Sequence, residues 1–276
     1  MSDRDLNALT EQVAARLDAT PAPRLRSIMQ SRVRHLHAFA RDLRWTGLEW
    51  LKAVEFLTQT GLTFPSTRQE FILLSDVLGL SMLTVGLNGG KPAGCTEPTV
   101  FGPFYVADAP HYANGDDVAN GAPGTPCTVR GRVRSRDGTP IANAHIDVWQ
   151  ADEEGHYDVQ KPDLQAAQAR GVLHSQEDGG FHFRTIVAEP YPIPTDGPVA
   201  ALLEHTRRSP WRPAHLHFRI SAPGYETLVT HVFRAGDGYL DSDPVFGVRE
   251  SLIAEWPRQP DGSHSLDFEF VLNPGP

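Results

Sequence analysis

Cysteine is almost missing from this chain of 276 residues, with only Cys95 and Cys127 present. They form no Cys-x-x-Cys pair, which argues against a disulfide framework and a thiolate zinc knuckle and points to a reducing cytoplasm. Positive charge is also short: 25 Lys and Arg face 34 Asp and Glu, for a net charge of -9. Such a balance serves neither nucleic acid nor an anionic membrane, both of which need a basic face. No apolar run approaches the roughly 18 residues of a membrane span. The start, Met1-Ser2-Asp3-Arg4-Asp5, has no apolar core of the signal-peptide kind. Internal repeats and low-complexity tracts are lacking too. What is left is a globular chain, 40% hydrophobic, able to bury a core and expected to act on a small molecule in the cytoplasm.

Two patterns divide the chain. From Asp5 to about Leu87 apolar residues recur at helical spacing, as in Leu6, Leu9, Val13 and Leu17, then Ile28, Val33, Leu36, Phe39 and Leu43. Ser66 and Gln69 after Pro65 read as a capping box opening one helix through Phe71, Leu74, Leu78 and Met82 to Asn88-Gly89-Gly90. Beyond Thr99 the period becomes two, in runs around Thr128 to Val133, Ala144 to Trp149, Phe181 to Arg184, His215 to Ile220, Thr227 to Phe233 and Leu266 to Leu272. Short strands separated by turns predict a mainly β protein, a β-sandwich or barrel, preceded by a helical region. The expected domains are residues 1-98, helical, and 99-276, the β core.

One strand carries chemistry. In Arg212-Pro213-Ala214-His215-Leu216-His217-Phe218-Arg219-Ile220 the two histidines share a face. A lone histidine between apolar neighbours is usually a hydrogen-bonded core residue, whereas a same-face pair suits a metal ion equally well, zinc included. Tyr157, after Glu154-Gly155-His156, and Tyr191, within Pro190-Tyr191-Pro192-Ile193-Pro194, stand in turn-rich settings. Taken singly, each reads as a turn or interface tyrosine. Taken with the histidines they favour ferric iron, because a phenolate is a hard anionic donor and phenol, with a pKa of about 10, ionises at neutral pH only beside a highly charged cation.

The ordered set of these segments resembles the intradiol ring-cleavage dioxygenases: Gly138-Thr139-Pro140-Ile141-Ala142-Asn143-Ala144 leading into Ile146-Asp147-Val148-Trp149-Gln150-Ala151-Asp152, then Gly155-His156-Tyr157, Tyr191-Pro192-Ile193-Pro194, and Arg212 to Phe218. The resemblance implies a β-sandwich core in which Tyr157, Tyr191, His215 and His217 hold one non-haem Fe(III) per chain. It also implies an N-terminal region used for dimerisation and as a lid. Leu73 to Gly79, Val100 to Tyr105 and Leu240 to Val248 are most similar to the branch that cleaves hydroxyquinol (benzene-1,2,4-triol) with dioxygen to 3-hydroxy-cis,cis-muconate, or maleylacetate. Catechol and chlorocatechols are the alternative substrates. A β-sandwich binding module with a core His-x-His, and a zinc hydrolase, are the alternatives from other classes.

By the same resemblance Tyr191 leaves the metal and takes a substrate proton, while Arg212 sets its permanent charge near anionic charge on the ring, a structural ion pair being its plainer role. The implied substrate pocket is Leu73, Asp76, Val100, Phe101, Gly102, Pro103, Phe104, Ile193, Pro194, Arg212 and Val245. Asp76, a carboxylate on an apolar helix, is expected either to meet the third hydroxyl or to serve as a cap or ion-pair partner. His231 stands where catechol-cleaving relatives tend to carry glutamine, which leaves its role open. The amphipathic N-terminal helices imply a homodimer, and relatives in this branch can hold a lipid at that interface.

Overall fold

The computed structural model describes residues 3-63 and 69-275. Contacts divide the chain into one compact unit running to Thr58 and a second from Gln59 onward. The first contains α1 (Asp3–Ala15), α2 (Pro23–Leu43) and most of α3 (Gly47–Leu62). Pro23 opens α2, where its missing N–H costs nothing. Arg44 in the left-handed region closes it, donating its N–H to the Ala40 and Arg41 carbonyls. Helices α1 and α2 are tied at Thr10, whose hydroxyl lies 3.0 Å from His37 Nδ1 and accepts from Arg41 Nη1 at 2.8 Å. The apolar stripe read from the sequence is largely exposed on α2, at Leu25, Ile28, Leu36, Phe39 and Leu43, and on α3, at Leu48, Trp50, Leu51, Val54 and Leu57.

The second unit begins with α4 (Glu70–Val77) and α5 (Leu80–Asn88), which corrects the expectation of one continuous helix. Gly79 at φ 73° breaks the run, and the two helices are bent by 78°; a glycine takes this left-handed conformation without the Cβ penalty of other residues. Ser66 and Pro65 of the expected capping box lie outside the described residues, and Gln69 makes no side-chain capping bond. Arg208 secures the break by donating to the Val77 and Pro244 carbonyls at 2.6 and 3.0 Å. Among the described residues no single helix is long and apolar enough to cross a membrane.

The strands are β1 (Pro126–Ser135), β2 (His145–Trp149), β3 (Arg170–His174), β4 (Gly180–Ile186) and β5 (Tyr191–Pro192). After α6 (Pro198–His205) come β6 (Trp211–Arg212), β7 (His215–Ser221), β8 (Leu228–Arg234), β9 (Ile253–Ala254) and β10 (His264–Leu272). They form a three-stranded sheet, β10-β1-β4, a five-stranded sheet, β3-β2-β7-β8-β9, and the small pair β5-β6. Every strand run read from the sequence is present; β3 and the two-residue strands β5, β6 and β9 are additional. Both larger sheets feed one apolar core: Val129, Val133, Phe181, Phe183, Leu266 and Phe270 from the first, and Ile146, Val148, Leu216, Phe218, Ile220 and Val232 from the second. On β7 the alternation sends Leu216, Phe218 and Ile220 into that core and leaves His215 and His217 on the opposite face, which is also buried.

Gly131, in the middle of β1, is opposite Phe181, and a Cβ there would run into the aromatic ring. Gly131→Ala is therefore expected to destabilise the protein by about 1-3 kcal/mol through overpacking. An unchanged urea midpoint would contradict this.

Candidate metal centre

Two strands and one turn aim polar groups at a single point. His215 and His217 come from β7, Tyr191 from β5 and Tyr157 from the turn after β2. All four are buried. The Tyr157 hydroxyl lies 3.0 Å from that of Tyr191 and 2.9 Å from His217 Nε2, and the two histidine Nε2 atoms are 3.2 Å apart. His215 Nδ1 is 2.7 Å from the Pro213 carbonyl, which can only accept, so this nitrogen carries the proton and Nε2 turns its lone pair inward. Two such lone pairs 3 Å apart in a dry site repel unless a proton or cation stands between them. Donor atoms roughly 3 Å from one another are what metal–ligand bonds of about 2 Å produce, so the residues present fit a metal ion.

Packing holds each donor. His217 stacks on Trp149 with centroids 4.6 Å apart and planes 15° apart, and Tyr157 stacks on Phe104 at 4.4 Å. Two glycines make room: a Cβ on Gly102 (φ 77°) would stand 3.1 Å from His217 Cε1, and one on Gly155 (φ 81°) only 2.6 Å from Tyr191 Cβ. Arg170 donates to both Asp158 carboxylate oxygens and to the Phe104 carbonyl at 2.9 Å, tying the loop that carries Tyr157 to the one that carries Phe104.

Arg212 pairs in register with Tyr191. Its Nη1 is 3.4 Å from the Tyr191 hydroxyl and 3.2 Å from His215 Nε2, while its Nε donates to Asp243 at 3.1 Å. Arg212 is thus a buried ion-pair partner, the plainer of its two expected roles, and it also adjoins the candidate donors. Burial lowers the pKa of the guanidinium, but Asp243 and then Tyr191 more than offset this and hold it above its ordinary value. Burial, and next the neighbouring phenol, raise Tyr157 well above the usual phenol range. His215 is held neutral by burial and then by Arg212.

His231, left open from the sequence, belongs to this cluster. It faces His217 across β7 and β8, and its donor atom lies within 4.8 Å of those of His215 and His217, a group able to hold a metal ion. Its Nδ1 meets Thr99 Oγ1 at 2.9 Å, and its buried Nε2 has no partner. Asp76 is buried near Arg212 and Asp243; desolvation raises its pKa against the hydrogen bond from Ser81. It makes no ion pair within 4 Å among the described residues. Val100 and Val245 pack together with Met82, and Phe101 leans on Tyr105 and Trp149. Leu73 and Ile193 are buried, and Pro103 and Pro194 half-buried, without a hydrogen bond or ring contact to the four donors. A second grouping, Asp152, Glu154 and His156, is already spoken for: Asp152 accepts from the Glu154 and His156 backbone N–H groups and from Lys161.

Residues 100–274 match the family described as "Dioxygenase" and residues 22–96 the "Catechol dioxygenase N terminus". The chain belongs to the intradiol ring-cleavage dioxygenases. It is 65% identical over 274 residues to a 6-chlorohydroxyquinol 1,2-dioxygenase of Cupriavidus pinatubonensis, covering 99% of each chain. It is 51% identical over 255 residues to a hydroxyquinol 1,2-dioxygenase of Nocardioides simplex, covering 92% of this chain and 87% of that one. Among solved structures, hydroxyquinol 1,2-dioxygenase from Pseudomonas putida DLL-E4 superposes with a TM-score of 0.92 at 42% identity, over 99% of this chain and 100% of that one. The chain is thus a ring-cleaving oxidoreductase of a family that uses non-haem iron.

Burial keeps His215, His217 and His231 neutral, well below the ordinary 6.5. Below that pH the unfolded chain binds up to three more protons than the folded one, so stability present at neutral pH is lost as pH falls through about 6.5, by up to about 4 kcal/mol per pH unit. Urea unfolding of the wild type from neutral pH downward should show this slope, and His231→Gln should lower it by about one proton's share. A flat profile would mean that the three imidazoles are not buried neutral.

Proposed function

We propose that this enzyme cleaves hydroxyquinol with dioxygen between its two adjacent hydroxylated carbons, placing both oxygen atoms in 3-hydroxy-cis,cis-muconate, the enol form of maleylacetate. The proposal includes one Fe(III) per chain held by Tyr157, Tyr191, His215 and His217. The observation that supports it most directly is the convergence of two phenol oxygens and two imidazole nitrogens about 3 Å apart, a donor set of the kind ferric iron takes. When bound, the ferric ion supplies Lewis acidity that ionises phenols and a one-electron couple that opens an aromatic diol to dioxygen.

The chain's own residues divide the remaining work. Tyr157 is fixed, fully buried, stacked on Phe104 and bonded to His217. Tyr191, on a two-residue strand beside Arg212, is the phenol free to take a substrate proton. Arg212, clamped by Asp243, presents an unchanging positive charge to anion developing on the ring. The apolar wall of Leu73, Val100, Phe101, Gly102, Pro103, Phe104, Ile193, Pro194 and Val245 suits a flat ring, and Asp76 meets the third hydroxyl. A chlorinated hydroxyquinol is the second reading, supported by the name of the 65% identical relative; catechol and chlorocatechols come after it.

The proposal extends to architecture and assembly. Residues 99-276 form the catalytic domain, a β-sandwich, a reading supported by the core that the two larger sheets share. Residues 1-98 form the helical lid and dimerisation region, and the exposed apolar residues of α2 and α3 support a homodimer with room for a lipid at its interface. Two free cysteines accord with a cytoplasmic setting.

Anaerobic addition of hydroxyquinol to the purified iron-loaded protein is expected to shift a broad visible band arising from phenolate donation to iron. Tyr157→Phe and His215→Asn should lose iron and colour, and retained iron with full activity in either variant would overturn the site. Asp76→Ala should lower the preference for hydroxyquinol over catechol by roughly 10- to 100-fold in kcat/KM, the worth of a hydrogen bond to a charged group. An unchanged substrate ratio would remove Asp76 from the pocket.

A further inference from the structure

One end of the five-stranded sheet carries three imidazoles that ring cleavage leaves unused. His145 on β2 and His174 on β3 are cross-strand partners, and His111 is brought beside them by its bridge to Val172 on β3. Ring centroids are 5.4 Å apart for His145 and His174, 6.1 Å for His111 and His174, and 6.4 Å for His111 and His145. With metal–nitrogen bonds of about 2 Å, two imidazoles on one tetrahedral ion have centroids about 5 Å apart. The first pair already stands near that distance. The other two need about 1 Å of approach, within the reach of side chains that are exposed or half-exposed and free to rotate.

Asp147, two residues along β2 from His145, places Oδ2 3.3 Å from His145 Nε2. That carboxylate is buried and is anchored by Arg219 Nη1 at 3.0 Å, so it stands fixed beside the His145 ring. This is the carboxylate–histidine arrangement that supports metal-binding imidazoles. Among the described residues the ring nitrogens of His111 and His174 have no hydrogen-bond partner. Partial burial, and next the nearness of His145 and His111, lower the pKa of His174, which favours its neutral, ligating form. The cluster is separate from the candidate metal centre. His145 and Trp149, the residue stacked on His217, are four residues apart on β2, roughly 13 Å along the strand.

We propose that His111, His145 and His174, oriented by Asp147, bind a borderline divalent cation such as Zn2+, Ni2+ or Cu2+ at a second site. Imidazole donors suit these ions, and the oxygen-rich set that a calcium or magnesium ion requires is not present there.

The test is equilibrium dialysis of the iron-loaded enzyme against zinc chloride, with zinc and iron both measured by mass spectrometry. The wild type should take up one zinc per chain while its iron content stays constant. His111→Ala and His174→Ala should each weaken uptake by about tenfold or more, with near-UV circular dichroism unchanged. His111 is exposed, so its truncation leaves the fold intact and keeps the test open even if the strand variant is unstable. No zinc uptake, uptake matched by iron loss, or uptake undiminished in both variants would each overturn the proposal.

Discussion

Strand β7 buries both of its faces, and the chemistry depends on that. Its even-numbered residues join the apolar core shared by the two larger sheets, so the register of the strand cannot slip without turning the core inside out. The same constraint holds His215 and His217 on the other face, in a space that Tyr157, Tyr191 and Trp149 keep dry. Desolvation there removes the charge from the imidazoles and keeps the proton on the Tyr157 phenol. The result is a cluster of donor atoms about 3 Å apart with no charge of its own on either imidazole, an arrangement that a multivalent cation stabilises.

Two buried ion pairs flank the donors, and their value is positional. Arg212–Asp243 sets a charge against Tyr191 and His215, and Arg170–Asp158 ties the Tyr157 turn to Phe104. Taking two charges out of water costs about as much as their attraction returns, so neither pair is a strong argument for stability. Each instead fixes where a loop meets the sheet, and Arg212 adds a charge that no pH in the working range removes.

The strands that carry the core were legible because alternation survives in a single sequence, and the pairing of His215 with His217 because two residues at a spacing of two on a strand must share a face. What escaped depended on the third dimension. Strand β3 is five residues with Gly171 inside, where the Tyr112 ring packs too closely for a Cβ, and one small residue erases a period-two signal that short. The break between α4 and α5 was marked by Gly79, yet the apolar spacing continues through it and outweighed the glycine. His231 could not be assigned from its own neighbours, because what makes it part of the site is its register opposite His217. Asp243 was visible only as part of a loop, since its partner Arg212 lies 31 residues away.

The donors also differ in what holds them, and the difference suits the reaction proposed. The histidines sit on a seven-residue strand paired on both sides, so their positions are set by ladders of backbone hydrogen bonds. Tyr157 comes from a turn and is held by its stacking on Phe104, whereas Tyr191 comes from a strand of two residues, where a phenol can shift without disturbing a larger sheet. A site that must keep its metal while releasing one ligand to a substrate needs both kinds of support. The same sheet face continues outward to His145 and His174, where exposure rises. Along one face the side chains therefore pass from two phenols and two imidazoles converging in a dry interior to three clustered imidazoles at the more exposed edge, and the metal suited to each end follows from that change.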